Sequence, residues 1–292
     1  MHGHLRSLRS RVLLAAVTAL GLALLVSAGS ASAARAPVNT RAAMRTALAH
    51  LPAGWHPANH ALGRHTSLGT GLMQLTSTNW SGYADDNSKG NTYKSVTGHW
   101  TEPKITGCNA NVLSAVIFFV GLDGLTSSTV EQAGSLALCP GGGSTVPVYA
   151  TWWEMFPTND VQFIGTTVKP GDNISASVVR AGTKYTLKVT DSTTAGNNFS
   201  TTQTCSATTC LKTSAEWIAE APTNNGAQVP LAKFGAWTVK NATVKAGLKS
   251  GTIKTFPHDK IIMEDASSIV LAQPGALNTT GNQFKDTWKA ST

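Results

Sequence analysis

Residues Ala215–Glu220 read AEWIAE, set within Lys212–Pro222, KTSAEWIAEAP. The run is six residues long, holds no glycine or proline, and sits in a body, from Thr76 onward, where no window sustains a long helical period. That length and texture predict a β-strand. Along a strand alternate side chains face the same way, so Glu216, Ile218 and Glu220 share one face and Ala215, Trp217 and Ala219 the other. Only 13% of the chain is charged. A carboxylate in so apolar a run is costly unless it is paired, hydrogen-bonded or open to a cleft. Glu216 therefore needs a reason to be there.

The same texture runs outward in both directions. From Thr76 onward, short stretches rich in Val, Ile, Thr and aromatics alternate with Gly, Asn, Asp and Pro clusters. Strands are predicted over Lys94–Trp100, Val112–Val120, Pro147–Phe156, Asn173–Arg180, Lys184–Asp191, Ala236–Ala242 and Lys260–Glu264. An all-β domain of this size suits one large sandwich or barrel rather than two domains. Alternation also sorts other faces. Trp152, Glu154 and Phe156 lie opposite Tyr149, Thr151, Trp153 and Met155, and Gln132 lies opposite Glu131. A face with Trp152, Glu154 and Phe156 is too polar for a plain core and too aromatic for a plain surface. It suits a groove for an extended polymer, peptide or sugar.

The N-terminus is different. Arg6, Arg9 and Arg11 precede an apolar run from Val12 to about Val26, and small residues end in Ala31-Ser32-Ala33. This pattern predicts a secretory signal peptide over 1–33, too short in its apolar part to span a bilayer. Residues 34–75 then carry Arg35, Arg41, Arg45 and Arg64, four histidines and no acid. A helix is predicted from Thr40 to Leu51, stopped by Pro52. The segment reads as a basic propeptide, with a linker as the plainer alternative, and leaves 76–292 as the body. The formal charge of +8 comes from this end: the first acid is Asp85, and after residue 75 only 16 of the 23 Lys and Arg remain against all 15 acids. A near-neutral body removes the main support for nucleic-acid binding, and nothing after the signal predicts a membrane partner.

Only His99 and His258 lie in the body, so a histidine-rich metal site or a Ser-His-Asp triad has little to draw on. No metal and no cofactor are expected. All four cysteines, Cys108, Cys139, Cys205 and Cys210, follow the signal. An even count behind a signal favours disulfides. Of three possible pairings, Cys205–Cys210 with Cys108–Cys139 is preferred, and free buried thiols are the alternative.

Six segments in order now add a resemblance: NWSGY at Asn79–Tyr83, FVGLDG at Phe119–Gly124, VEQAG at Val130–Gly134, YATWWEMFP at Tyr149–Pro157, AEWIAE at Ala215–Glu220 and VPLAKFG at Val229–Gly235. Together they resemble the glutamic peptidases, the eqolisin family, over roughly residues 76–290. The resemblance implies a lectin-like β-sandwich of two large antiparallel sheets, secreted with a propeptide. It also implies a metal-independent endopeptidase acting at acid pH on protein or peptide substrates, as a monomer inhibited by its own propeptide. Its catalytic pair falls on Gln132 and Glu216. Asp123, Trp152, Glu154, Phe119 and Phe156 fall on supporting or cleft positions. The chain departs from the fungal pattern at Phe119, where a tryptophan is expected, at Ser135-Leu136, where an aspartate is expected, and at Met155-Phe156, which replace a Trp-Tyr pair.

Water-mediated peptide hydrolysis needs a base for the water, a donor for the oxyanion and an acid for the leaving amine. Glu216 offers the first and last, and the Gln132 amide is a donor at every pH. Two other readings fit an aromatic-walled β-sandwich: a secreted glycoside hydrolase using Glu154 and Glu216, and a noncatalytic carbohydrate-binding module. The basic N-terminal segment favours the peptidase.

Overall fold

The computed structural model describes residues 55–56, 62–67 and 72–291 other than 88, 207 and 225, and before residue 73 it describes the backbone alone. The signal segment, the helix expected from Thr40 to Leu51 and most of the basic segment lie outside these residues.

The main strands are β1 (Leu72–Ser77), β2 (Trp80–Asp85), β3 (Tyr93–Thr101), β4 (Ser114–Asp123), β5 (Val130–Cys139), β6 (Val148–Phe156), β7 (Asn159–Phe163), β8 (Asn173–Ala181), β9 (Lys184–Asp191), β10 (Phe199–Thr204), β11 (Ala215–Glu220), β12 (Ala236–Ala246), β13 (His258–Glu264), β14 (Val270–Pro274) and β15 (Phe284–Trp288). One sheet has the order β7-β6-β5-β4-β11-β2-β13-β1. The other runs β10-β9-β8-β3-β12. These are the two layers of the expected sandwich. Every pairing in them is antiparallel except β13 with β1, which is parallel.

Strand β12 belongs to both layers. Its first half, Ala236–Val239, pairs with β15 in the first sheet, and Lys240 to Ala246 pair with β3 in the second. The register shifts between Lys240 and Thr243, and Asn241 adopts φ 50. An irregularity of this kind bends a strand and lets it change sheets.

Alternation then fills the space between the layers. Trp237 stacks on Phe118 at 5.2 Å and meets Trp100 and Phe284 edge-on at 5.6 and 5.8 Å. Trp217 sits on the same inner face of β11 as predicted, and its Nε1 donates to the Thr97 carbonyl of the other sheet at 2.7 Å. An aromatic of this size buries ~150–250 Å², about 4–6 kcal/mol of transfer free energy. The outer face of the first sheet carries a second apolar cluster, with Trp80, Phe119, Trp152, Ile218 and Ile261.

Two disulfides close the loops that the sequence paired, Cys108–Cys139 and Cys205–Cys210, leaving no free cysteine. Among the described residues no helix is long and apolar enough to cross a membrane.

Candidate active site

Strand register decides which side chains share the outer face of the first sheet. Gly121 of β4 lies opposite Gln132 of β5 on one side and Glu216 of β11 on the other. Gln132 in turn lies opposite Glu154 of β6, and Glu216 opposite Ala84 of β2, which is opposite Asp259 of β13. One row therefore reads Glu154, Gln132, Gly121, Glu216, Ala84, Asp259 across six strands. The neighbouring row reads Trp152, Gly134, Phe119, Ile218, Gly82, Ile261 and is wholly apolar. A line of acids and an amide thus runs beside an apolar wall.

Gly121 separates the amide from the carboxyl. At ~4.8 Å per strand, Gln132 and Glu216 are about 10 Å apart at Cα, and the residue between them projects only hydrogen. A Cβ on Gly121 would stand 3.3 Å from Oε2 of Glu216. The apolar row uses glycine for another reason. A Cβ at Gly134 would fall 1.9 Å from the Phe118 carbonyl, so only glycine permits that approach. Phe119 fills the space beside it and meets Trp80 and Trp152 edge-on at 5.6 and 6.0 Å.

The polar groups are held by few bonds. Gln132 Nε2 donates to Glu154 Oε2 at 2.7 Å, while Gln132 Oε1 has no partner among the described residues. Among the described residues neither Glu216 oxygen makes a hydrogen bond of good geometry, although the Ser214 hydroxyl lies close enough to favour its charged form. Burial pushes the Glu216 carboxyl well above the ordinary carboxylate range, and Asp123, Glu131 and Asp85 add to the rise. Burial likewise raises Glu154 to about 8, against the pull of the Gln132 bond. Gln132, Glu154 and Glu216 are all buried. The site is covered in the full-length chain.

Asp123 stands apart from the row. It closes β4 at φ 66, and its carboxylate accepts from the Lys212 and Thr213 backbone N–H groups at 2.7 Å each and from the Thr213 hydroxyl at 3.1 Å. It anchors the loop that leads into β11. Phe156 is half-buried at the end of β6, opposite Val130. Glu131 points to the opposite face, since the β4–β5 register runs without a bulge, and it lies buried near Asp123. Glu220, on the Glu216 face, accepts from Asn79 Nδ2 at 3.3 Å and is also buried.

The described residues bring Glu131 together with Cys205 and Cys210 at metal-ligand spacing. Those sulfurs are bonded to each other and offer no thiolate. A cavity of ≈ 260 Å³ lined by Lys89, Lys249, Lys254, Phe256 and His258 shares no residue with the row. Three members of the row's surroundings were not singled out from sequence: Ser214, Ala84 and Asp259. The predicted strand began at Lys260, one residue too late to place Asp259 on a face. Only the pairing of β13 with β2 brings it into line with Glu216.

The profile of the Peptidase A4 family matches residues 78–280. That span covers most of the chain, and the chain belongs to this family, the glutamic peptidases. Among solved structures it is similar to scytalido-glutamic peptidase, solved with a transition-state analogue inhibitor, at 21% identity and TM-score 0.59, covering 73% of this chain and 98% of that one. It is also similar to aspergilloglutamic peptidase from Aspergillus niger, at 23% identity and TM-score 0.50, covering 60% of this chain and 99% of that one. Both likenesses concern the fold. No curated protein sequence matches the chain. A peptidase of this family acts on protein or peptide, which decides against the glycosidase and the carbohydrate-binding module.

Proposed function

We propose that the chain is a secreted, metal-independent acid endopeptidase in which Glu216 and Gln132 act together on a water molecule. The observation supporting this most strongly is their alignment on either side of Gly121, on the same face of the sheet. The Glu216 carboxylate takes a proton from water as the water oxygen bonds to the peptide carbonyl carbon. One N–H of the Gln132 amide is held by Glu154, and the other donates to the developing oxyanion. A donor of this kind lowers the barrier by about 3–4 kcal/mol. Glu216 then returns its proton to the nitrogen as the C–N bond breaks, which restores the carboxylate.

Burial bears on when this happens. A fully covered Glu216 is held neutral, and a neutral carboxyl is no base. Access of water lowers its pKa towards the ordinary range and frees the carboxylate. We infer that residues 34–75 supply the cover as an inhibitory propeptide. Two short stretches of its backbone lie against the body. Trp55–His56 pairs with Thr223–Asn224, just beyond the end of β11, and Leu62–Ser67 pairs with β1. The boundary drawn after residue 75 falls within β1, which is hydrogen-bonded to β13. The segment carries four arginines and four histidines. Cleft acids held neutral by burial attract these charges little, and below about pH 6 the histidines are all charged and repel one another and the arginines, which loosens the segment.

The mature chain, assayed between about pH 3 and 5, is expected to release new amino termini from denatured protein and no reducing sugar from polysaccharide. Sugar release without peptide release overturns the reading. EDTA and thiol reagents are expected to leave the rate unchanged, and chelator inhibition reversed by zinc replaces the mechanism with a metal one. Full-length protein is expected to gain activity faster at about pH 4 than at about pH 7, and equal rates remove the acid-release step.

A further inference from the structure

The row of polar groups does not stop at Glu216. Beyond Ala84 it ends on Asp259, whose Oδ1 has no hydrogen-bond partner among the described residues and whose side chain is only 5% exposed. Alternation along β13 turns Asp259 to the same side as Ile261, which packs in the outer apolar cluster with Ile218 and Phe119. Asp259 therefore faces the cleft, as Glu216 does. Ala84 between them carries only a methyl group, so the floor dips on this side of Glu216 as it does over Gly121. On the far side of Gln132 the equivalent acid, Glu154, is taken by the Gln132 amide. Along the row Asp259 lies between Ala84 and Met73: the Met73 backbone N–H favours its charged form, but neither neighbouring side chain offers a donor to Oδ1.

We propose that Asp259 is a specificity-determining residue of the peptidase cleft, receiving a substrate side chain that carries N–H donors: lysine, arginine, glutamine or asparagine. This rests on the Glu216–Gln132 reading, since the scissile bond is placed over Gly121. The position follows from the spacing of strands. From Gly121 to Asp259 is three strand steps, ~14 Å, and an extended peptide advances ~3.4 Å per residue. A peptide laid along the row thus brings its third or fourth residue from the scissile bond over Asp259. The acidic row bordered by the apolar row of Trp152, Phe119 and Ile218 favours that direction, because polar backbone groups then run along polar side chains. A buried acceptor left unpaired by an apolar substrate residue costs binding that a donor recovers. Sites built on such a group discriminate against analogues that lack the donor far more strongly than apolar pockets discriminate by size.

The test uses mature wild-type enzyme and its Asp259→Leu, Asp259→Ala and Asp259→Asn variants on matched peptides, with Lys, Gln, Leu or Met three and four residues to either side of the scissile bond. Wild-type enzyme is expected to cleave the Lys or Gln peptide with kcat/KM about tenfold above Leu or Met at one of these positions. Asp259→Leu is expected to reverse that order, and Asp259→Asn, which keeps an acceptor, to preserve it. A purely structural role for Asp259 would depress all peptides alike. Ratios unchanged within about twofold in both Asp259→Leu and Asp259→Ala overturn the proposal. Glu216→Gln is run in parallel. If it cleaves normally, the underlying pair is wrong, and if it is dead while the ratios do not move, only Asp259 is misassigned.

Discussion

At Gly121 a hydrogen occupies the position from which a methyl group would meet Oε2 of Glu216 and Cε2 of Phe119 at 3.3 Å each. Such contacts are tight without being forbidden, so the neighbours yield by a few tenths of an ångström. Gly121→Ala is therefore expected to cost about 1 kcal/mol or less, a Tm change within about 2–4 °C. The same methyl intrudes where the proposed mechanism places the scissile bond, and kcat/KM is expected to fall at least about tenfold, because small misplacements at the reacting atoms are expensive. Unaltered kinetics in Gly121→Ala would show that the space over Gly121 is not the reaction site. Glu131 is the internal contrast: one residue from Gln132 in sequence, it lies on the other face of β5, and Glu131→Gln is expected to leave turnover at acid pH near the wild-type rate.

Above the single residue, β11 depends on the loop that delivers it. The Asp123 carboxylate holds two backbone N–H groups and one hydroxyl of that loop, from a backbone conformation that asparagine tolerates and alanine resists. Asp123→Ala takes the acceptor from those half-buried donors and is expected to cost about 2 kcal/mol, roughly 4–8 °C in Tm, with activity falling as the loop before Glu216 loosens. Asp123→Asn keeps one acceptor and is expected to lose about half as much. Thermal unfolding of the two variants checks the order, and equal losses would remove the latch. At this scale the sequence was informative about individual strands and silent about their neighbours. The period-two pattern placed Glu216 with Ile218 and Gln132 opposite Glu131, since alternation is a property of one strand. Family resemblance singled out Gln132 and Glu216, but their alignment across Gly121 came only from the structure, because pairing order is set by long-range contacts that no local pattern carries. Asp259 escaped for the same reason, and so did the passage of β12 between sheets, where Asn241 and a register shift leave no periodic mark.

Across the whole molecule, buried acids set the response to pH. Burial raises Glu102 and Glu154 to about 8 and Asp259 and Asp286 to about 7, and pushes Asp85, Glu131 and Glu216 well above the ordinary range. In the unfolded chain the same groups titrate near ~4. Between those values the folded state holds more protons than the unfolded one, so stability is fully present below about pH 4 and is lost as pH rises through about 7–8. Tm is expected to fall on the order of 10 °C between about pH 4 and 8. Glu131→Gln, which removes one buried ionisation, is expected to recover part of the loss at about pH 8 and none at about pH 4. A Tm that rises over that interval contradicts the assignment of these acids as neutral in the folded protein. Stability that is greatest at acid pH is the setting that the proposed Glu216–Gln132 pair requires. The central claim is tested most directly by the cleavage rate of denatured protein at about pH 4, measured for mature wild-type, Glu216→Gln and Gln132→Ala enzymes whose circular dichroism spectra coincide. The account predicts losses of about 10²–10⁴-fold for Glu216→Gln and about 10²–10³-fold for Gln132→Ala; either folded variant retaining more than about a tenth of the wild-type rate contradicts it.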